Sequence, residues 1–237
     1  MKTSVYFVSL IFLTILTHGE DSAPFFNGKD LTGWTVRSGT ANYEVIDGVI
    51  VGTTVPMSPN TFLCTDREYA DFELTLEVKC DPGLNSGIQI RSQVAEEGTE
   101  VLNTKNPDNP KVIKLPTDHV YGNQIENAMA ESRRSGGLYD EARRFIFLDD
   151  LSERPEAQKA FRDEEWNHFR IRCEGNRIQT WVNGIPCTDV KDEMDAKGII
   201  GLQVHGNISV TGRVSKKEYK EHQVRFRNLE IKELEYW

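Results

Sequence analysis

The stretch that most limits what this chain can fold into is "FELTLEVK", residues 72–79. Phe72, Leu74, Leu76 and Val78 alternate with Glu73, Thr75, Glu77 and Lys79. A period of two sends the apolar set to one face of a strand and the polar set to the other. The pattern recurs along the chain, punctuated by turn dipeptides. "YEVIDGVIVG" is two short strands around Asp47-Gly48, since glycine accepts the positive φ of a tight turn. "NHFRIRCEGNRIQTWVNGIPCTDV" reads as a meander with turns at Gly175-Asn176 and Asn183-Gly184. In the closing "VRFRNLEIKEL" the apolar set slips from Phe226 to Leu229, which predicts a bulge near Asn228. Many short strands at regular spacing predict an all-β sandwich of two antiparallel sheets. Two segments interrupt the pattern. Residues 94–118 read as a long polar insertion, and within 128–165 a short helix is expected from about Glu153 to Arg162, with Ser152 as its N-cap.

The start of the chain reads as a targeting segment. Lys2 precedes an apolar run from Val5 to Leu16, too short for the roughly 20 residues of a membrane span. With Thr17 and Gly19 as small residues, residues 1–19 are expected to be a signal peptide, leaving residues 20–237 as one domain exported to the periplasm or beyond the cell. The mature chain would carry 27 basic and 37 acidic residues and no further membrane span. An acidic domain is a poor partner for nucleic acid or anionic lipid, and a neutral partner such as a sugar suits it better. Cys64, Cys80, Cys173 and Cys187 permit two disulfides in three pairings, or four buried thiols, without the spacing of a zinc site.

Chemistry has to come from the polar faces of the strands. In "GIQIRSQ" Ile88 and Ile90 point inward, so Gln89, Arg91 and Gln93 share the other face. In "VYGNQIEN" Gln124 and Glu126 share a face, and in "IIGLQVHGN" Gln203 and His205 do. Residues two apart lie roughly 6.6 Å apart along a strand, about the width of a sugar ring. On neighbouring strands these groups would line one surface. Glu126 offers a general base, His205 a second acid or base, and Arg91 a cation for a developing oxyanion. A solvated sheet face is the alternative for each pair, and Arg91 paired with Glu126 would be structural. Trp34, Trp166 and Trp181 either stack on sugars or fill the core. No cofactor is expected. A divalent metal stays open, with Asp149-Asp150 as a weak calcium candidate.

Taken in order, "FFNGKDLTGW", "DGVIVG", "REYADFELTLEVK", "GLNSGIQIRS", "GNQIEN", "SGGLYDEARR", "EEWNHFRIRCEGNRIQTWVNG", "GIIGLQVHG" and "VRFRNLEIKEL" resemble the 3-keto-disaccharide hydrolase domain family from about Phe25 to Leu234. The resemblance implies a concanavalin A-like jelly-roll sandwich. It also implies cleavage of glycosides whose C3 hydroxyl has been oxidised: a base removes the C2 proton, the C1 substituent leaves, and water adds. An oxidoreductase would supply the keto-sugar. Carried onto this chain, Glu126 or His205 is the base or acid, and Arg91 and Gln124 hold the ketone or enolate oxygen. Gln203 contacts hydroxyls, with Gln89 on the same polar face. Asn85 and Ser86 shape the rim, and Tyr139 closes over the sugar. Many members carry Gln followed closely by Asp where this chain has Gln124-Ile125-Glu126, which alters the reach of the acid. A carbohydrate-binding module without turnover and an inert interaction domain are the competing classes.

Overall fold

The computed structural model describes residues 24–206 and 220–234. The signal peptide expected at residues 1–19 lies outside the described residues. Strands are numbered in chain order. One seven-stranded sheet runs β1 (Trp34–Arg37), β4 (Thr61–Thr65), β15 (Ile199–Val204), β6 (Ser86–Val94), β9 (Val120–Asn127), β10 (Leu138–Glu141) and β11 (Phe147–Asp149). The other runs β14 (Ile185–Lys191), β13 (Arg177–Val182), β12 (Asn167–Glu174), β5 (Phe72–Cys80), β16 (Gln223–Glu233), β3 (Val49–Thr53) and β2 (Asn42–Ile46). The pairings within both sheets are antiparallel. The result is the jelly-roll-type sandwich that the alternation predicts.

The inner faces build one core. Leu63, Ile88, Ile125, Leu138 and Leu202 of the first sheet meet Leu74, Leu76, Phe169, Ile171 and Phe226 of the second. In β5 every second residue is buried, as its sequence requires. Asp47-Gly48 and Asn183-Gly184 carry positive φ at both positions, the geometry of a two-residue hairpin turn. The expected bulge is present: Asn228 has φ 52°, and the β5–β16 register shifts between Arg227 and Glu230. All four cysteines are buried free thiols, so the disulfide alternative does not hold. Burial pushes Cys64, Cys80 and Cys173 up to about 12 and Cys187 to about 11.

Three expectations need correction. The insertion at 94–118 contains a two-stranded ribbon, β7 (Glu100–Asn103) with β8 (Lys111–Lys114), over a small cluster of Ala95, Val101 and Leu115. The helix expected from Glu153 to Arg162 is a single 3-10 turn at Ala157–Lys159. Polar side chains outcompete its ladder: Asp149 and Asp150 accept from the Leu151 and Ser152 amides, and Asn167 bonds both the N–H and the carbonyl of Arg162. The interruption at 128–165 also holds two strands, β10 and β11. Their alternation is masked because the inward position after Leu138 is Asp140, which is fully buried and neutralised by Arg143 and Arg144.

Candidate functional site

Four strands of the first sheet bring the site together. The register places Gly201, Gln89, Gln124 and Tyr139 side by side on β15, β6, β9 and β10. One step along β9 lies Glu126, opposite Gly87. A methyl group on Gly87 would stand 2.7 Å from Gln124 Cγ, so only glycine lets the Gln124 side chain lie flat across β6.

A cavity of about 240 Å³ opens on this face, below the roughly 300–1,000 Å³ of drug-sized pockets and suited to a single sugar ring. Asn85, Gln124, Glu126, Tyr139, Gln203 and His205 line it. The structure therefore gathers six of the nine residues singled out in the sequence. Two more sit beneath it. Ser86 donates to the Gln203 carbonyl at 2.7 Å, and Gln89 donates to Gln124 Oε1 at 2.8 Å. Both are fully buried.

Arg91 does not join them. Ile90 and Arg91 together oppose the single residue Ile200, a bulge in which Arg91 takes φ 47°. The bulge throws the Arg91 side chain off the polar face. Its guanidinium donates to the Ala70 carbonyl at 2.5 Å, the Gly175 carbonyl at 2.6 Å and the Asp71 carboxylate at 2.5 Å, and it is fully buried. Ser92 takes the vacated face and donates to Gln89 Oε1 at 2.6 Å.

Sequence reading missed Glu141 and Phe147, both of which line the cavity. They sit on the two strands hidden by the buried Asp140. The detectable signal was the spacing of Glu141 two residues after Tyr139, which puts both on one strand face. The Phe147 ring packs 4.9 Å from that of Tyr139 and gives the cavity an apolar wall.

The electrostatics are those of crowded carboxylates. Desolvation raises Glu126, opposed by donors from Asn85 Nδ2 at 2.7 Å and Gln124 Nε2 at 3.2 Å. Glu141 is pushed up to about 7, first by desolvation and then by the charges of Glu126 and Asp140, against one bond from Asn60 Nδ2 at 3.0 Å. Burial lowers His205 although its ring reaches the exposed rim. His205 Nδ1 lies 2.8 Å from the Gly206 carbonyl, so Nδ1 carries the proton and Nε2 is an acceptor. Gln203 is fully buried, yet neither atom of its amide has a hydrogen-bond partner among the described residues. Such a group costs stability unless a ligand satisfies it. No group of three or more His, Cys, Asp or Glu side chains among the described residues is arranged to hold a metal. Asp149 instead pairs with Arg154.

The chain is a jelly-roll sandwich with a small polar cavity on one sheet. A family model described as the 3-keto-alpha-glucoside-1,2-lyase-like domain matches residues 21–232, and the chain belongs to that family. Solved structures share the fold. A candidate glycosyl hydrolase from Parabacteroides distasonis superposes with a TM-score of 0.54 at 19% identity, covering 89% of this chain and 92% of that one. The carbohydrate binding module CBM66 from Bacillus subtilis gives 0.51 at 13%, covering 84% and 94%. A Bacillus subtilis protein of unknown function with a galectin-like fold gives 0.52 at 14%, covering 85% and 89%. No curated protein matches the chain. Among the described residues no helix is long and apolar enough to cross a membrane.

Proposed function

We propose that this domain cleaves glycosidic bonds of 3-keto-glycosides by elimination and hydration. The observation that carries the reading is Gln203, a buried amide with no partner among the described residues, facing the cavity that Glu126 also lines. A ketone at C3 acidifies the neighbouring C2–H. Glu126 accepts that proton, and two amide donors keep its carboxylate in the acceptor form. Gln124 is bonded at both ends, and Arg91 is occupied elsewhere. The Gln203 amide is therefore the donor for the ketone and enolate oxygen. His205 Nε2 accepts from a sugar hydroxyl, and the Tyr139–Phe147 wall packs on a ring face. Ordinary glycosidases flank the bond with two carboxylates and need no ketone. In this reading the domain works outside the cytoplasm, after an oxidoreductase has oxidised C3.

The test is release of free sugar from 3-keto-trehalose and 3-keto-glucosides, with the unoxidised glycosides as controls. Wild type should cleave only the keto forms, and Glu126→Gln should lose about 100-fold or more while staying folded. His205→Ala should lose activity as well. Binding of glycans without turnover of any keto-sugar would overturn the enzymatic reading. The aromatic wall would then belong to a carbohydrate-binding module.

A further inference from the structure

We infer that Glu141 is the general acid of this cavity, donating the proton to the departing glycosidic oxygen, with Asn60 as its positioning residue. The inference rests on the elimination reaction proposed above and names a group that reaction needs. In the first step the C2–H bond breaks and its proton passes to Glu126. The electron pair forms the C1=C2 bond as the C1–O bond breaks, and the leaving oxygen takes a proton from Glu141. In the second step water adds to C1 and returns its proton to Glu141, while Glu126 returns the first proton to C2. The net change is addition of one water across the glycosidic bond.

The other lining groups do not fit the acid's role. His205 spends its N–H on the Gly206 carbonyl and presents only an acceptor to the cavity. Glu126 receives two side-chain donors, which hold it in the form that accepts protons. Desolvation and the charges of Glu141 and Glu126 make the Tyr139 hydroxyl a far weaker acid than a carboxyl. Among the described residues Glu141 receives a single side-chain donor, on Oε1, which leaves Oε2 to carry a proton. Two desolvated carboxylates facing one cavity favour one proton between them, and the donor count assigns it to Glu141.

Asn60 joins Glu141 to the opposite rim. Its Nδ2 donates to Glu141 Oε1 at 3.0 Å, and its Oδ1 accepts from the Gly206 amide at 2.7 Å. A methyl on Gly206 would lie 2.7 Å from the Pro59 carbonyl carbon and 2.8 Å from the Asn60 nitrogen, so the two segments are pressed together. One side-chain amide thus joins Glu141 to Gly206, the residue whose carbonyl holds the His205 ring.

Leaving-group dependence tests the assignment. Release of the aglycone is compared between a methyl 3-keto-glucoside, whose alkoxide must be protonated to leave, and the 4-nitrophenyl 3-keto-glucoside, whose phenoxide leaves without help. C2–H exchange in D₂O is followed by NMR. Glu141→Gln should slow the methyl substrate about 100-fold or more, slow the nitrophenyl substrate far less, and still exchange C2–H. Asn60→Ala should show the same pattern more weakly. With wild type, the methyl rate should fall as pH rises past 7 while the nitrophenyl rate does not, a readout that needs no variant to fold. Equal losses on both substrates, or identical pH profiles, would overturn the role of Glu141. Absence of both exchange and cleavage in wild type would instead overturn the elimination reaction itself.

Discussion

Gln89 Nε2 donates to Gln124 Oε1 at 2.8 Å, and that bond decides which end of Gln124 faces Glu126. Ser92 donates to Gln89, Gln89 to Gln124 and Gln124 to Glu126, so the polarity of three amide and hydroxyl groups runs one way toward a carboxylate. A carboxylate is the one side chain among them that can only accept. Removing the middle of the relay should therefore be felt at its end. Gln89→Leu is expected to destabilise the fold by about 1–3 kcal/mol, since buried Gln124 Oε1 loses its donor while Ser92 keeps the Asn123 carbonyl as acceptor. It should also raise the Glu126 pKa as Gln124 turns. Chemical denaturation and a carboxylate NMR titration measure the two effects.

Gln203 should trade stability for binding. Its amide is buried without a partner among the described residues, so Gln203→Leu is expected to stabilise the protein by about 1–3 kcal/mol. The same variant should lose affinity for any sugar the cavity holds. Thermal unfolding and calorimetric titration with a keto-glycoside check both halves. A destabilised variant would mean that the amide is satisfied in solution.

The raised pKa of Glu141 has a stability consequence of definite sign. Folding lifts this carboxyl from the usual 4.5 to about 7, so the folded state binds its proton more tightly than the unfolded state does. The contribution is fully present below about 4.5 and is lost as pH rises through 7. Glu141→Gln, which cannot ionise, should gain stability relative to wild type between pH 5 and pH 8. Urea unfolding at both pH values reads the difference.

Arg91 ties the two sheets together. It bonds the Ala70 and Gly175 carbonyls and the Asp71 carboxylate from a fully buried position. Arg91→Met removes the side-chain donor of the Ala70 and Gly175 carbonyls and leaves the Asp71 carboxylate with only the Gly175 N–H, and should cost about 3–5 kcal/mol, measured by denaturant unfolding.

The strands were legible wherever the inward positions are apolar, as in β5, β12 and β13. They were illegible where an ion pair replaces the apolar residue. Asp140 occupies a core-facing position of β10 and is neutralised by side chains that follow it in a tight turn. That concealed the strand, and with it Glu141. Arg91 failed for a different reason. Strict alternation puts it beside Gln89, but one extra residue in β6 reverses the faces beyond Ile90. The helix from Glu153 to Arg162 failed because Asn167, beyond the segment, supplies the hydrogen bonds that an isolated helix would make for itself.

What the sequence by itself determined was the two-faced strands, their hairpin turns and the bulge at Asn228. Side-chain period and φ preference are properties of a residue and its near neighbours, so they can be read in place. Only the tertiary structure decided which polar faces meet, that Glu141 joins Glu126 around one cavity, and that Gln203 is buried there without a partner among the described residues. Those outcomes depend on strand order and desolvation, which arise when residues more than a hundred positions apart pack against one another.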